Sequence, residues 1–163
     1  MDEMKGRARY KTFGKRRSLR LPGYDYSSPR PVHLVIGTYG KRPILTGRLA
    51  MAMVGCLKET AERCEVVLFA FCVMPDHVHL LVSSRGGVDL VTFVQRFKGK
   101  STRIFWELGG RGKLWQRGFY DHVLRKEEAV EDVAAYVLNN PVRKGLARDF
   151  RDYHYSGSSV IEW

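Results

Sequence analysis

The stretch CEVVLFAFCVMPDHVHLLVSS, residues 64–84, contains two apolar runs separated by a short break. The run 64–74 is apolar enough for a central β-strand, and the run that begins at His77 is typical of a second strand. Pro75 and Asp76 between them favour a tight turn, because proline fixes one backbone dihedral and aspartate stabilises sharp bends. The stretch therefore predicts an antiparallel hairpin at the centre of a sheet.

The second strand of this hairpin carries two histidines, one residue apart. Side chains alternate between the faces of a strand, so His77 and His79 lie on one face, and Val78 and Leu80 on the other. Two imidazoles on one face are either polar groups of a partly hydrated sheet or the start of a metal site, since imidazole is a common metal ligand. Two such ligands leave open positions on a cation, as a catalytic metal requires.

Strand-like and helix-like patterns continue on both sides of the hairpin. Their order, β-α-β-β-α-β, predicts an α+β fold of the ferredoxin-like type, an antiparallel sheet with helices on one face, plus a further C-terminal helix. We expect residues 31–163 to form one such domain. Residues 1–30 hold nine Lys or Arg against three acidic residues, which predicts a basic, partly flexible arm. The strand-like segments outside the hairpin are 32–39 and 114–125, and the helix-like segments are 47–63, 88–108 and 127–139.

The composition indicates which class of partner the protein binds and in which cellular compartment it lies. Lys and Arg number 28 against 17 Asp and Glu, a formal net charge of +11, which favours nucleic acid over an anionic membrane surface as the partner. The three cysteines are eight residues apart without a C-x-x-C pair, which argues against a zinc ribbon or a disulfide framework. The sequence has neither a secretory signal pattern nor a membrane-spanning apolar run, so we expect a cytoplasmic protein.

A segment that ends like a phosphate-binding loop, Gly99-Lys100-Ser101-Thr102, lies inside the second helix-like segment. The full motif needs a glycine five residues before Gly99, and Val94 stands there. The motif also requires a strand before the loop and a helix after it. We therefore expect no nucleotide cofactor.

The last helix-like segment brings a tyrosine and an asparagine to one helix face. In AAYVLNNPVRKG, residues 134–145, Tyr136 and Asn140 are four residues apart. On their own they are more typical of a core aromatic and of a helix end before Pro141. Considered with the two histidines, they suggest a site of two imidazoles and an amide oxygen, which suits Mg²⁺ or Mn²⁺ better than a closed zinc site. A tyrosine beside such a cation suggests nucleophilic attack on a phosphodiester, and its free pKa of about 10 means that it must be activated.

Three motifs together, PDHVHLLV, WQRGFYDH and AAYVLNNPVRKG, resemble the REP-associated tyrosine transposases, which are single-tyrosine HUH transposases. The resemblance covers the chain from about Val32 to Gly145. It implies that His77 and His79 bind the metal, that Tyr136 is the nucleophile, and that Asn140 is a third metal ligand on the helix of the nucleophile.

The resemblance also implies a reaction and a substrate. In this family the tyrosine attacks single-stranded DNA, which gives a 5′-phosphotyrosine link and a free 3′-hydroxyl, and strand transfer then reverses the step at a new end. Substrates are typically imperfect hairpins with a short single-stranded flank. The alternative is a non-catalytic, domesticated protein that binds single-stranded nucleic acid or hairpins. An RNA-recognition module is less consistent, because its aromatic signature is absent, and a monomer and a homodimer both stay open.

The remaining candidates are basic, aromatic or histidine side chains around the motifs. The basic residues are expected to follow the DNA backbone and the aromatic residues to stack on bases, with a solvated helix face and core packing as the alternatives. His122 is expected to be an acid/base group or a structural polar group, and His33 and His154 ordinary surface or core residues. The expected DNA-binding residues are Arg16, Arg17, Arg96, Lys98, Lys100, Arg103, Trp115, Arg117 and Phe119.

Overall fold

The structure, a computed structural model, describes residues 24–162. Arg16 and Arg17, which are predicted to bind DNA, lie outside the described residues. The strands are β1 Val32–Gly37, β2 Val66–Met74, β3 His77–Ser84, β4 Tyr120–Val123 and β5 Ser156–Gly157. The α-helices are α1 Gly47–Arg63, α2 Leu90–Glu107, α3 Val130–Leu138 and α4 Asn140–Arg143, and short 3-10 turns span Tyr39–Lys41 and Phe150–Asp152.

The strands form one antiparallel sheet in the order β4-β1-β3-β2-β5. β2 and β3 are the predicted hairpin, and they lie inside the sheet as expected. The chain order β1-α1-β2-β3-α2-β4 is that of the predicted ferredoxin-like arrangement, so the α+β fold class is confirmed. The short strand β5 pairs with β2 and extends the sheet by one strand.

Helices cover both faces of the sheet. α1 and α2 pack on one face, where Met53, Leu57 and Phe93 lie in the main core. α3 packs on the opposite face, where Val137 contacts the cluster that contains Cys72 of β2. Because both faces are covered, β2 and β3 are buried along almost their whole length, which explains their nearly continuous apolar sequences. α3, the helix of the candidate nucleophile, therefore lies over the sheet face opposite α1 and α2.

The fourth strand is much shorter than the predicted segment 114–125, since β4 comprises only four residues. Gly118 has a φ of +75°, a left-handed conformation that interrupts a strand. The ammonium group of Lys98 also donates hydrogen bonds to the carbonyls of Gln116 and Gly118. These two carbonyls are therefore bound by α2 instead of by a neighbouring strand.

The last predicted helix, 127–139, is observed as the shorter helix α3, and the one-turn helix α4 follows it directly. α3 begins late because the side chain of Glu128 turns back and accepts a hydrogen bond from the backbone N–H of Arg125. Asn139 ends α3, and Pro141 stands in the first turn of α4, where a missing N–H costs nothing. The helix end predicted before Pro141 is thus followed directly by one more helical turn.

Part of the segment before Pro31, which was predicted to be a basic, partly flexible arm, packs against the domain. Tyr26 is buried in the core on the side of α1 and α2, and its hydroxyl donates a 2.7 Å hydrogen bond to Asp121 at the start of β4. The described residues 24–30 are therefore tied to the domain by an aromatic ring and a buried polar contact.

The three cysteines are buried and free. None of the helices in the described part is long and apolar enough to cross a bilayer.

Candidate active site

Four polar side chains form a hydrogen-bonded chain on the sheet face that α3 covers. Oδ1 of Asp76 lies 2.6 Å from Nδ1 of His77, and Nε2 of His77 lies 3.0 Å from Nε2 of His79. Nδ1 of His79 lies 2.9 Å from Nε2 of His33 on the neighbouring strand. The register pairs Val35 of β1 with His79, so His33 is the diagonal neighbour of His79 on the same face.

Burial keeps the imidazoles of His33 and His79 uncharged. His33 and His79 are fully buried, and His77 is nearly so. Desolvation lowers the pKa of His79 well below its usual value and lowers that of His33 to about 3, with smaller contributions from nearby positive charges. The hydrogen bond with His77 holds the pKa of Asp76 below its ordinary value. Neutral imidazole is the form that binds metal ions.

The side chain of Tyr136 lies over the same imidazoles. Its ring centroid is 6.1 Å from that of His33 and 6.3 Å from that of His79, with edge-to-face geometry in both pairs. α3 brings it there because Val133, Ala134 and Val137 bury the helix against β2 and β3. The phenol predicted near the carboxyl end thus lies beside the predicted imidazole pair.

A guanidinium group covers the candidate nucleophile. Cζ of Arg143 in α4 is 4.0 Å from the centroid of the Tyr136 ring, and one of its amino groups donates a 2.8 Å hydrogen bond to the Tyr136 carbonyl. Partial burial raises the pKa of the Tyr136 phenol above its usual value, while the charge and a side-chain hydrogen bond of Arg143 act in the opposite direction. The phenol is therefore protonated at neutral pH, with a cation in place to stabilise its anion.

Asn140 is buried at the first position of α4, next in the chain to the helix of Tyr136. Its amide nitrogen donates a 3.3 Å hydrogen bond to the carbonyl of Val137. This contact ties the side chain to the end of α3. Its role as a metal ligand stays a prediction.

The donor atoms of His77 and His79 fit a divalent cation. Two adjacent ligands of an octahedral cation at about 2.1 Å are roughly 3.0 Å apart, which is the separation of the two Nε2 atoms. Within residues 24–162, no group of three or more His, Cys, Asp or Glu side chains has a metal-binding arrangement. A metal here would thus need the two imidazoles together with oxygen ligands such as an amide or water, a set unlike that of a closed zinc site.

Three of the predicted DNA-binding side chains are buried or bonded within the domain. Trp115 and Phe119 are only 7% and 8% exposed and belong to the core on the side of α1 and α2. The indole N–H of Trp115 donates a 2.8 Å hydrogen bond to Ser101. Burial lowers the pKa of Lys98 to about 8, and its ammonium group holds the loop before β4. These three side chains pack the domain, so the predicted base stacking and phosphate contact are not available to them in this structure.

Of the other predicted basic residues in the described part, Arg96, Arg103 and Arg117 are exposed and Lys100 is partly exposed, and the three on α2 lie away from the histidines. Arg96, Lys100 and Arg103 extend from α2, which packs on the sheet face opposite the imidazoles, and Arg117 is exposed in the loop before β4. The polar side of α2 therefore does not border the imidazole cluster. A cavity of about 240 Å³ between the start of α1 and the end of α2 also lies on the side opposite the imidazole cluster.

His122 takes part in a structural contact. Its Nε2 lies 3.0 Å from both carboxylate oxygens of Glu128, and this contact joins β4 to the loop before α3. The geometry supports the structural alternative for His122. His154 is exposed, as an ordinary surface histidine would be.

The sequence analysis assigns no site role to three residues that the structure places here: His33, Asp76 and Arg143. His33 reaches the site only through the register of β1 against β3, which the sequence of either strand does not reveal. The sequence predicts a turn role for Asp76, and its position directly before His77 is the signal that could have indicated a site role. Arg143 reaches Tyr136 because the chain turns between α3 and α4.

Comparison with known proteins identifies the family. The family model described as "Transposase IS200 like" matches residues 28–140, and the chain belongs to this transposase family. The predicted likeness to REP-associated tyrosine transposases is confirmed by the relatives. A Haemophilus influenzae protein provisionally assigned as a REP-associated tyrosine transposase is 29% identical over 110 residues, which are 61% of this chain and 62% of that protein. The REP-associated tyrosine transposase of Escherichia coli is 26% identical over 87 residues, 53% of this chain and 51% of that protein.

A solved structure has the same fold. It is a REP-associated tyrosine transposase bound to a REP hairpin, and it superposes with a TM-score of 0.69 at 18% sequence identity over 85% of this chain and 82% of that chain. The matched segments span about three fifths of the Haemophilus influenzae relative and about half of the Escherichia coli relative.

Proposed function

We propose that this protein cleaves and rejoins single-stranded DNA beside hairpins, with Tyr136 as the nucleophile and a 5′-phosphotyrosine intermediate. The observation that carries the proposal is the position of the Tyr136 ring, 6.3 Å from that of His79 and on the same sheet face as His77. Membership of a transposase family and the hairpin bound by the structural relative support DNA hairpins as the substrate.

The reaction begins with the Tyr136 phenol, which must lose its proton before it attacks. The phenolate oxygen forms a bond to phosphorus, the bond to the 3′ oxygen breaks, and that oxygen leaves as a 3′-hydroxyl after it takes up a proton. Arg143, which lies over the ring, stabilises the negative charge on the phenolate and on the phosphate that it attacks. Rejoining is the reverse step, in which a 3′-hydroxyl attacks the phosphotyrosine and releases Tyr136.

Each of the two metal-binding histidines has its own orienting partner. Asp76 accepts the Nδ1–H of His77, and Nε2 of His33 accepts the Nδ1–H of His79 in the tautomer that leaves both Nε2 atoms unprotonated. Mg²⁺ or Mn²⁺, held by His77, His79 and Asn140, would polarise the scissile phosphate and offset its developing charge. Burial keeps His79 and its partner His33 neutral, and the Nε2 atoms of His77 and His79 lie 3.0 Å apart.

The test is covalent capture of DNA. The protein is incubated with Mn²⁺ and an end-labelled hairpin that carries a single-stranded flank, and adducts are separated on a denaturing gel. We expect a labelled adduct that Tyr136→Phe abolishes and that Tyr155→Phe, at a partly buried tyrosine on the opposite side of the sheet, retains. Tyr136→Phe keeps its affinity for the hairpin, because the substitution removes one oxygen atom. Binding without an adduct in every form of the protein would favour the non-catalytic hairpin binder, and an adduct that survives Tyr136→Phe would overturn Tyr136 as the nucleophile.

A further inference from the structure

Two large aromatic side chains of the described residues are exposed, although most others are at least partly buried. Tyr39 is 50% exposed and Trp106 is 52% exposed. Both residues are fixed to the loop that follows α2. The backbone N–H of Tyr39 donates a 2.8 Å hydrogen bond to the carbonyl of Leu114, and the indole N–H of Trp106 donates one of 2.8 Å to the carbonyl of Gly112. The Trp106 ring and the Tyr39 backbone are therefore held in place, which reduces the ordering needed to bind a ligand.

Two basic side chains lie beside the Tyr39 ring. Nζ of Lys113 is 5.3 Å from the Tyr39 centroid, and Cζ of Arg42 is 6.0 Å from it. Arg42 also donates a hydrogen bond to the Lys113 carbonyl, which joins the loop after β1 to the loop after α2. Segments 38–48 and 106–118 contain six basic residues against one acidic residue, Glu107. We call Tyr39, Arg42, Trp106 and Lys113 the Tyr39–Trp106 surface.

This surface begins at the His77 end of the sheet. Gly37, the last residue of β1, pairs with His77, and both the N–H and the hydroxyl of Thr38 donate hydrogen bonds to the Asp76 carbonyl, at 2.9 and 3.1 Å. Tyr39 follows directly. Consecutive Cα atoms are about 3.8 Å apart, so the Cα of Tyr39 is within about 8 Å of the Cα of Gly37. A strand that leaves the active site at this end would meet Tyr39 first.

Exposed aromatic faces beside cations match one kind of ligand. Bases stack on aromatic rings only where they are unpaired, and phosphates bind Lys and Arg, so the combination fits single-stranded nucleic acid better than a duplex. We propose that the Tyr39–Trp106 surface holds the single-stranded flank next to the hairpin, with the bases on Tyr39 and Trp106 and the phosphates beside Lys113 and Arg42. The proposal rests on the proposed function for the identity of the DNA, and it assigns the flank to a surface that the sequence motifs did not include.

The experiment compares two labelled DNAs, a blunt hairpin and the same hairpin with a single-stranded flank, by fluorescence anisotropy. The difference in affinity between them measures binding of the flank. Stacking on one ring contributes on the order of tenfold in affinity. We expect Tyr39→Ala and Trp106→Ala each to lower affinity for the flanked DNA by on the order of tenfold and to leave the blunt hairpin unchanged. Tyr39→Phe keeps the ring and restores binding.

Matched variants separate stacking from charge and from folding. Leu146→Ala and Val160→Ala remove other exposed apolar side chains, and we expect neither to change binding of either DNA. Lys113→Ala should reduce the salt dependence of binding to the flanked DNA by about one phosphate contact. Flanked DNA should also quench tryptophan fluorescence in the unmodified protein more than in Trp106→Phe. Thermal unfolding establishes that each variant is folded.

The results of this binding experiment can be told apart from the results of the covalent-capture experiment on Tyr136. Unchanged affinity of Tyr39→Ala and Trp106→Ala for the flanked DNA would overturn the proposal, and so would an equal loss for blunt and flanked DNA, which would indicate contact with the duplex. Tyr136→Phe should keep the full advantage of the flank while it loses the covalent adduct. If no form of the protein produces an adduct but Tyr39→Ala still loses the flank, the surface assignment stands and the proposed cleavage fails.

Discussion

The hydrogen bond between His33 and His79 offers a sharp test of how the candidate metal site is built. His33 is fully buried, and its Nε2 lies 2.9 Å from Nδ1 of His79. His33→Phe fills the same space with a ring but removes the partner of that nitrogen. An unsatisfied buried polar group costs about 1–3 kcal/mol. Loss of an outer partner of a metal-binding histidine typically lowers metal affinity by roughly 10–100-fold, which is about 1.4–2.8 kcal/mol.

The assay is titration of the purified protein with Mn²⁺, with free Mn²⁺ measured by electron paramagnetic resonance, alongside urea unfolding without metal. We expect His33→Phe to bind Mn²⁺ roughly 10–100-fold more weakly while it is still folded. His33→Gln should recover most of the affinity, because a glutamine amide reaches about as far as Nε2 of histidine. His154→Gln, at an exposed histidine, is the control and should change nothing. Unchanged Mn²⁺ affinity in His33→Phe, or equal weakening by Phe and Gln, would refute the orienting role of His33.

Other predictions concern acid stability, the nucleophile and the loop before β4. Without metal, the free energy of unfolding should fall as the pH drops below about 6.5, because His33 and His79 take up protons in the unfolded chain but not in the folded protein. For His33 this decrease continues down to about pH 3, where the folded protein also binds the proton. The slope is roughly 1.4 kcal/mol per pH unit for each proton, and urea unfolding that is constant from pH 7 to 4.5 would contradict it. Arg143→Ala should raise the pKa of Tyr136 and slow cleavage roughly 100-fold, whereas Arg143→Lys keeps the charge and part of the rate. A pH–rate profile measures both the pKa and the rate. Equal cleavage rates in the two variants would exclude a role for the charge. Lys98→Met leaves two carbonyls without their ammonium donor and should lower the free energy of unfolding by about 1–3 kcal/mol in urea, while an unchanged midpoint would show that water replaces it.

The sheet and helices were predictable because their signals are local. The hairpin follows from two apolar runs around Pro75 and Asp76, and the helices from the spacing of their apolar residues. The fourth strand was predicted too long, because it begins only after Gly118 and the carbonyls that Lys98 binds, and the Lys98 contacts depend on the helix packed beside them. The tertiary contact overrode a sequence that otherwise favours a strand.

The candidate site was predictable in part for a similar reason. The spacing of His77 and His79 determines that they share a face, and helical spacing brings Tyr136 to one side of its helix. The contact between His33 and His79 depends on which residues of β1 and β3 face each other, and a shift of one residue would place His33 on the opposite face of the sheet. Local sequence does not determine that register.

The aromatic residues show that composition alone does not identify which rings are free to stack on bases. Trp115 and Phe119 lie in a motif and looked suited to stacking, but they fill the core between α2 and the sheet. Tyr39 and Trp106 lie outside the motifs and are the exposed rings. Which aromatic residues are exposed is decided by the packing of α1 and α2 on the sheet.

The most direct measurement of the central claim is the position of the DNA link on the chain. Cleavage after Lys126 and Arg143 by trypsin releases peptide 127–143, in which Tyr136 is the only residue with a hydroxyl side chain. After reaction with flanked hairpin DNA and Mn²⁺ and digestion of the DNA, tandem mass spectrometry should find a 5′-linked nucleotide on this peptide, at Tyr136. A nucleotide attached to a different peptide, or none on peptide 127–143 while the DNA is cut, would contradict the account.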